Sequence, residues 1–134
     1  MKLHHIGYLV KNLSKSVAAF EKLGYALRGE TCFDDSRRAE ICFMDNGDTP
    51  VELVSPSGDS VLFPLLKQYC NQPYHLCYEV EDLEKQIEIL RKNGYLLFNP
   101  PQKAIAIGDD AAVAFLMHRS IGMIELVQIN CSFM

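Results

Sequence analysis

Two histidines and two glutamates lie at repeated positions in segments that are otherwise largely apolar: His5, His75, Glu52 and Glu125. Each glutamate is followed by Leu-Val and preceded by a β-branched residue. Burying a carboxylate in such a segment costs free energy unless the charge is paired or bound to a cation. Two neutral imidazoles and two carboxylates form a mixed nitrogen and oxygen donor set that suits Zn, Ni, Co, Mn or Fe(II). The four residues are therefore candidate ligands of one divalent metal ion.

Each of these residues taken alone has a simpler interpretation. Strict alternation along a strand places Glu52 on the face opposite Val51 and Leu53, where a glutamate commonly meets solvent. A single histidine in a strand is more often a hydrogen-bonded core residue than a metal ligand. The metal interpretation therefore depends on the symmetric placement of all four residues.

That symmetry comes from an internal repeat. When the sequence is shifted by 70 residues, positions 5–27 align with positions 75–97 without a gap, and nine of the 23 pairs are identical. Each half then closes with a Glu-Leu-Val string, and the two strings are offset by 73 residues. The three additional residues fall in loops, where insertions are tolerated. The chain therefore consists of one module present twice, at about residues 1–56 and 73–130.

The patterns within one module predict a strand, a helix and three more strands, which is an α+β class. In the first half we expect strands at 3–10, 25–33, 40–44 and 50–55. The helix at 13–23 is capped by Asn12 and ended by Gly24. The second half repeats this helix between Asp82 and Gly94 and predicts strands at 95–100, 113–117 and 123–129. A short helix is expected at 59–67, between the halves.

The amino-acid composition indicates a globular protein and argues against nucleic-acid-binding and membrane-spanning proteins. The 134 residues are 49% apolar and 22% charged, which is typical of a single globular domain. The net charge of −4 argues against nucleic-acid binding. No apolar run is long enough for a membrane span, and the N-terminus lacks an apolar signal core. Five cysteines without a C-x-x-C pair favour reduced thiols and a cytoplasmic protein: Cys32, Cys42, Cys70, Cys77 and Cys131.

The strings at 5–13, 75–83 and 124–127 resemble the vicinal oxygen chelate superfamily, and the resemblance covers about residues 3–128. This superfamily includes glyoxalase I, methylmalonyl-CoA epimerase, extradiol dioxygenases and antibiotic-resistance proteins. The resemblance implies paired βαβββ modules that form a cupped, eight-stranded mixed sheet around a divalent metal, and a homodimer. The order His, Glu, His, Glu is similar to that of bacterial glyoxalase I. It implies that His5, Glu52, His75 and Glu125 bind Ni, Co or Zn, or else Mn.

The activity that this resemblance implies is that of a lactoylglutathione lyase. Such an enzyme converts the hemithioacetal of methylglyoxal and glutathione, or another thiol, into a 2-hydroxyacyl thioester through an enediolate. The metal acts as a Lewis acid, and Glu125 and Glu52 are the candidate proton carriers. The substrate is therefore a small-molecule thiol adduct or thioester.

Two alternatives stay open. Residues 56–60 and 112–119 resemble methylmalonyl-CoA epimerases, and a further acid/base carboxylate of those enzymes corresponds loosely to Glu40. A non-enzymatic ligand-binding or resistance protein on the same fold is the other alternative. Arg37, Arg38 and Arg119 are interpreted first as solvated loop charges, and second as contacts to an anionic substrate.

Overall fold

The computed structural model describes residues 1–129 and divides into two compact units. The first unit is formed by residues 5–74. The second is formed by residues 1–4 together with the described residues from position 75 onward. Each unit combines helix with a mixed sheet, which confirms the predicted α+β class.

The first unit contains four strands of one sheet in the order β2-β3-β4-β1. β1 pairs with β4 in parallel, whereas β2–β3 and β3–β4 are antiparallel. A short 3₁₀ turn at Phe63–Leu65 follows the last strand. The other bounds are β1 Lys2–Leu9, α1 Leu13–Glu21, β2 Ala26–Asp34, β3 Ala39–Asp45, β4 Val51–Pro56 and α2 Leu66–Tyr69.

The second unit repeats this topology. Its strands follow the order β5-β9-β8-β6, and a two-residue strand, β7, also pairs with β8. β5 is parallel to β9, just as β1 is parallel to β4. The bounds are β5 Gln72–Glu79, α3 Leu83–Arg91, β6 Leu96–Leu97, β7 Gln102–Lys103, β8 Ala112–His118 and β9 Gly122–Gln128.

The predicted capping residues are confirmed in both units, although α1 ends at Glu21, two residues before the predicted end. The side chain of Asn12 accepts a hydrogen bond from the backbone N–H of Lys15 at 3.1 Å. Asp82 accepts one from Lys85 at the same distance. The glycine three residues after each helix is in the left-handed region, with φ of 91° and 90°. A residue without a side chain is favoured there, so the repeated glycines end both helices in the same way.

In each unit, one face of the sheet packs against its helix and the other carries the repeated polar residues. Partly buried residues of α1, namely Leu13, Val17 and Phe20, cover the helix side of the first sheet. On α3, Leu83 and Ile87 are buried in the same way. Because strand side chains alternate, this packing turns every second residue of β1, β4, β5 and β9 to the opposite face.

The structure differs from the sequence prediction around two prolines and one serine. The helix predicted at 59–67 is reduced to the 3₁₀ turn and α2. Ser60 instead accepts the N–H of Leu62 with its side chain, a local hydrogen bond that competes with the helix. The strand predicted at 95–100 shrinks to β6. Pro100 and Pro101 lack the N–H that a strand needs. β7 was not predicted, so the described residues contain nine strands instead of eight.

The described thiols behave as structural residues. Cys32, Cys42 and Cys70 are free thiols, whereas Cys131 lies outside the described residues. Burial raises the pKa of Cys42 to about 11, so its thiol stays protonated near neutral pH.

Within the described residues, no helix combines the length and the apolar character that crossing a bilayer requires.

Replacing the cap of α3 tests the helix boundary. We expect Asp82→Ala to lower the free energy of unfolding by about 1 kcal/mol, because the N–H of Lys85 loses its acceptor. Urea unfolding followed by circular dichroism measures the change. Glu81→Ala, which removes the preceding exposed carboxylate, is the control. Equal stability of the two variants would contradict the capping role.

Candidate metal centre

The first unit buries His5 and Glu52 side by side. β1 and β4 are parallel, and their register places Gly7 beside Glu52, so that His5 lies two residues earlier on the same face. The His5 Nε2 atom is 3.5 Å from Glu52 Oε1. Both side chains are buried, with 0% and 1% exposed. The predicted neighbours are therefore in contact within this unit.

The second unit repeats the arrangement with His75 and Glu125. β5 and β9 are parallel, and Cys77 takes the place beside Glu125 that Gly7 takes beside Glu52. His75 Nε2 is 3.0 Å from Glu125 Oε1, and both side chains are again buried. Each half of the chain thus forms its own histidine–glutamate pair.

A phenylalanine packs against each pair, and neither phenylalanine is among the residues that the sequence predicts for the site. Phe43 lies directly opposite Glu52 in the β3–β4 ladder, and its ring meets the His5 ring edge to face at 5.1 Å. Phe115 does the same for Glu125 and His75, at 5.2 Å. The two phenylalanines are 72 residues apart, between the offsets of 70 and 73 that relate the histidines and glutamates. That spacing was the signal that could have revealed them.

The chemistry of each pair fits a divalent metal. An imidazole nitrogen and a carboxylate oxygen bind such an ion at about 2.0–2.2 Å. Two donors on one ion at right or tetrahedral angles are then about 2.8–3.6 Å apart, since the bond lengths and the angle fix the separation. The observed 3.0 and 3.5 Å lie within this range. The apolar surroundings also favour a cation that neutralises the buried carboxylates.

Arg37 corrects one sequence interpretation. Its place in a polar turn predicts a solvated charge, but only 12% of its side chain is exposed. Its Nη2 atom is 3.4 Å from Glu52 Oε2, and its Nε donates to Asp34 Oδ2 at 2.8 Å. Asp34 lies at the end of β2, and the turn that follows brings Arg37 back over the sheet. The spacing of Asp34 and Arg37, three residues apart, was the available signal.

Asp34 is held in its charged form. Burial by itself would raise the pKa of Asp34, but hydrogen bonds from Ser36 and Arg37, together with the Arg37 charge, outweigh it and lower the pKa. Oδ1 accepts both the backbone N–H and the hydroxyl of Ser36, at 2.9 and 2.7 Å. The carboxylate is therefore a fixed, negatively charged support for the arginine.

The other candidate residues from the sequence are Glu40, Arg38 and Arg119. Glu40 pairs with Ser55 in the β3–β4 ladder, two positions from Cys42, which faces the core beneath α1. It therefore lies on the opposite face of the sheet from Glu52, away from the histidine–glutamate pair of this unit. Arg38 is about half exposed and pairs with exposed carboxylates, and Arg119 is exposed, so both match the solvated interpretation.

Comparison with known proteins identifies the class. The sequence pattern of the Glyoxalase/Bleomycin resistance protein/Dioxygenase superfamily matches residues 4–115. The chain therefore belongs to this superfamily, the vicinal oxygen chelate family that its residues predicted. No curated protein matches the sequence significantly.

Solved structures show the same fold. A hypothetical protein from Bacillus halodurans C-125 is 27% identical, with a TM-score of 0.83 over 95% of this chain and 93% of its own. The methylmalonyl-CoA epimerase of Mycobacterium tuberculosis is 21% identical, with a TM-score of 0.82 over 96% and 87%. A variant of the Streptomyces coelicolor epimerase, in complex with 2-nitronate-propionyl-CoA, is 18% identical, with a TM-score of 0.81 over 96% and 94%.

The pH dependence of stability tests the role of Asp34. Because its pKa is lowered in the folded protein, its ionised form stabilises the fold above the unfolded pKa of about 3.9 and this contribution is lost as the pH falls. We expect Asp34→Asn to cost about 1–3 kcal/mol at pH 7. The difference from the wild type should shrink below about pH 4.

Urea unfolding of the metal-free protein at several pH values measures this difference. Asp35→Asn is the matched control, because Asp35 is exposed and pairs with Arg38. A cost for Asp34→Asn that is equal to that of the control, or that does not change with pH, would contradict the assignment.

Proposed function

We propose that His5, Glu52, His75 and Glu125 together bind one divalent metal ion and that the protein is a metal-dependent glyoxalase I, a lactoylglutathione lyase. The observation that carries the proposal is the buried histidine–glutamate pair, present at equivalent strand positions in both halves. A chain that retains both pairs differs from resistance-type binding proteins, which often lack the metal residues. Ni, Co and Zn are the first candidate metals, and Mn is another.

The metal would supply a Lewis acid that stabilises negative charge developing on the substrate oxygen. The chain itself must move the proton between adjacent carbons of the hemithioacetal. Glu125 is the first candidate for this proton transfer, because its registered neighbours on β5 and β8 are the apolar Cys77 and Phe115. Glu52 is the second candidate, since Arg37 already holds one of its oxygens. Glutathione or another thiol is consumed as co-substrate.

Methylmalonyl-CoA epimerase is the second candidate function. It is supported by the resemblance of residues 56–60 and 112–119 to these enzymes, which catalyse a related proton transfer beside a thioester carbonyl. The position of Glu40 on the helix side of the first sheet weakens this alternative, because the expected additional carboxylate does not lie on the face that carries Glu52. The glyoxalase proposal needs no additional carboxylate.

Metal stoichiometry tests whether the two pairs act as one site. We expect one Co(II), Ni(II) or Zn(II) per chain, measured by calorimetric titration and elemental analysis of the metal-free protein after reloading. His5→Gln and His75→Gln should each abolish tight binding of that single ion, because each removes one ligand. His118→Gln, which alters a histidine packed on Tyr95, should leave binding unchanged.

Other stoichiometries would refute a shared ion. Two ions per chain, with each histidine variant losing one of them, would mean that the pairs are separate sites. A wild-type protein that binds no divalent metal would refute the metal centre and favour a ligand-binding protein.

Activity distinguishes the two enzymes. We expect the reloaded protein to convert methylglyoxal plus glutathione into the thioester, followed by its ultraviolet absorbance. Glu125→Gln should lower kcat by about 10²–10⁴-fold, because the proton carrier is lost. Elemental analysis of each variant shows whether the metal is retained, and Glu40→Gln is the control carboxylate. Turnover of methylmalonyl-CoA without turnover of the hemithioacetal would refute the glyoxalase assignment in favour of the epimerase.

A further inference from the structure

Arg37 lies between the carboxylates of Asp34 and Glu52, on the face of the first sheet that carries His5 and Glu52. Its Nε donates to Asp34 Oδ2 at 2.8 Å, and its Nη2 lies 3.4 Å from Glu52 Oε2. The other oxygen of Glu52, Oε1, is the atom that lies 3.5 Å from His5 Nε2. The two oxygens of Glu52 therefore have different neighbours: one faces the guanidinium and the other faces the imidazole.

The backbone that carries Arg37 is fixed in turn. The Ser60 hydroxyl, which is buried, donates to the Arg37 carbonyl oxygen. The next residue, Arg38, adopts a left-handed φ of 51°, and its carbonyl accepts both the N–H and the hydroxyl of Ser57. A non-glycine residue in this region costs free energy and persists only where its surroundings hold it. The turn is therefore built to present Arg37 in one place.

We propose that Arg37 is a positioning residue for Glu52. Asp34 fixes the guanidinium, and the guanidinium holds Oε2, so that Oε1 stays turned toward His5. The terminal torsion of a glutamate is broad, and a carboxylate without such a partner can rotate. A fixed carboxylate offers one oxygen to a metal in a defined direction, whereas a rotating one loses entropy on binding. This inference rests on the proposed metal site.

The surroundings of Glu125 differ. In the second unit, a buried cluster lies on the face of the sheet that carries His75 and Glu125. It consists of small or apolar side chains: Cys77, Ala104, Ala111, Val113 and Val127. Asp34 and Arg37 therefore give Glu52 a charged neighbour within the first unit.

The positioning role and a simple charge effect predict opposite results. A positive charge beside the ligands repels a cation, so removing it would strengthen metal binding if charge alone mattered. If position matters, removing Arg37 weakens binding. A lysine retains the charge but lacks the planar fork that reaches both Asp34 and Glu52, so Arg37→Lys separates the two effects.

The experiment measures Co(II) affinity by calorimetry and the visible absorption of bound Co(II), which reports coordination geometry. We expect Arg37→Gln and Arg37→Lys each to weaken binding by about tenfold and to change the spectrum. Arg119→Gln removes one exposed positive charge from the turn after β8 and is the matched control. Asp34→Asn keeps the arginine but removes its anchor, and should weaken binding in the same direction.

Double variants show whether Arg37 acts through Glu52. The effect of Arg37→Gln on the unfolding free energy of the metal-free protein should shrink in a Glu52→Gln background and persist in a Glu125→Gln background. The thermal midpoint of each metal-free variant confirms that it folds, and Arg37→Lys or Asp34→Asn replaces any variant that does not.

The proposal is overturned if Arg37→Gln binds Co(II) as tightly as Arg119→Gln or more tightly, or if Arg37→Lys retains wild-type affinity and spectrum. Failure of the metal site itself gives a distinct result: the wild type and Arg119→Gln then bind no cobalt, and both proposals fall together.

Discussion

The structure depends on compensating two carboxylates that the fold takes out of water. Glu52 and Glu125 are each 1% exposed and flanked along their strands by apolar residues. An uncompensated charge in such a place is strongly destabilising, so each carboxylate needs a partner. In the proposed site, the neighbouring imidazoles and a metal would compensate both carboxylates, and Arg37 contributes to the compensation of Glu52. The parallel strand pairs bring each imidazole beside its carboxylate, and a phenylalanine packs against each imidazole.

Much of the fold could be predicted because the repeat doubled each weak signal. Asn12 alone is a modest capping signal, but Asp82 at the equivalent place makes both helix starts specific. The same holds for the buried glutamates, which alternation alone would place in solvent. The prediction failed where the halves diverge: the stretch around Pro100 and Pro101 has no counterpart in the first half, and two-residue strands such as β7 leave almost no pattern in a sequence.

The sequence predicts the four candidate ligands of the site, but it does not predict that Arg37 contacts one of them. The histidines and glutamates stand out because polar residues are unusual in apolar strands. Arg37 does not stand out, since a charged residue in a polar turn is what solvent exposure also predicts. Only the turn geometry, with the left-handed Arg38 and the hydrogen bonds from Ser57 and Ser60, brings it over the sheet. Whether the Arg37 side chain is buried or exposed is therefore determined by tertiary contacts and not by the local sequence.

The parallel pairing of β1 with β4 has a consequence for the order of folding. Its first registered partners, Ile6 and Val51, are 45 residues apart in the sequence, with a helix and an antiparallel hairpin between them. Contacts between such distant segments carry a large loop-closure cost and usually form after local ones. We therefore expect the pairing of His5 with Glu52 to follow the formation of the intervening helix and hairpin. A chain still being synthesised can form this pair only after its fourth strand has been added.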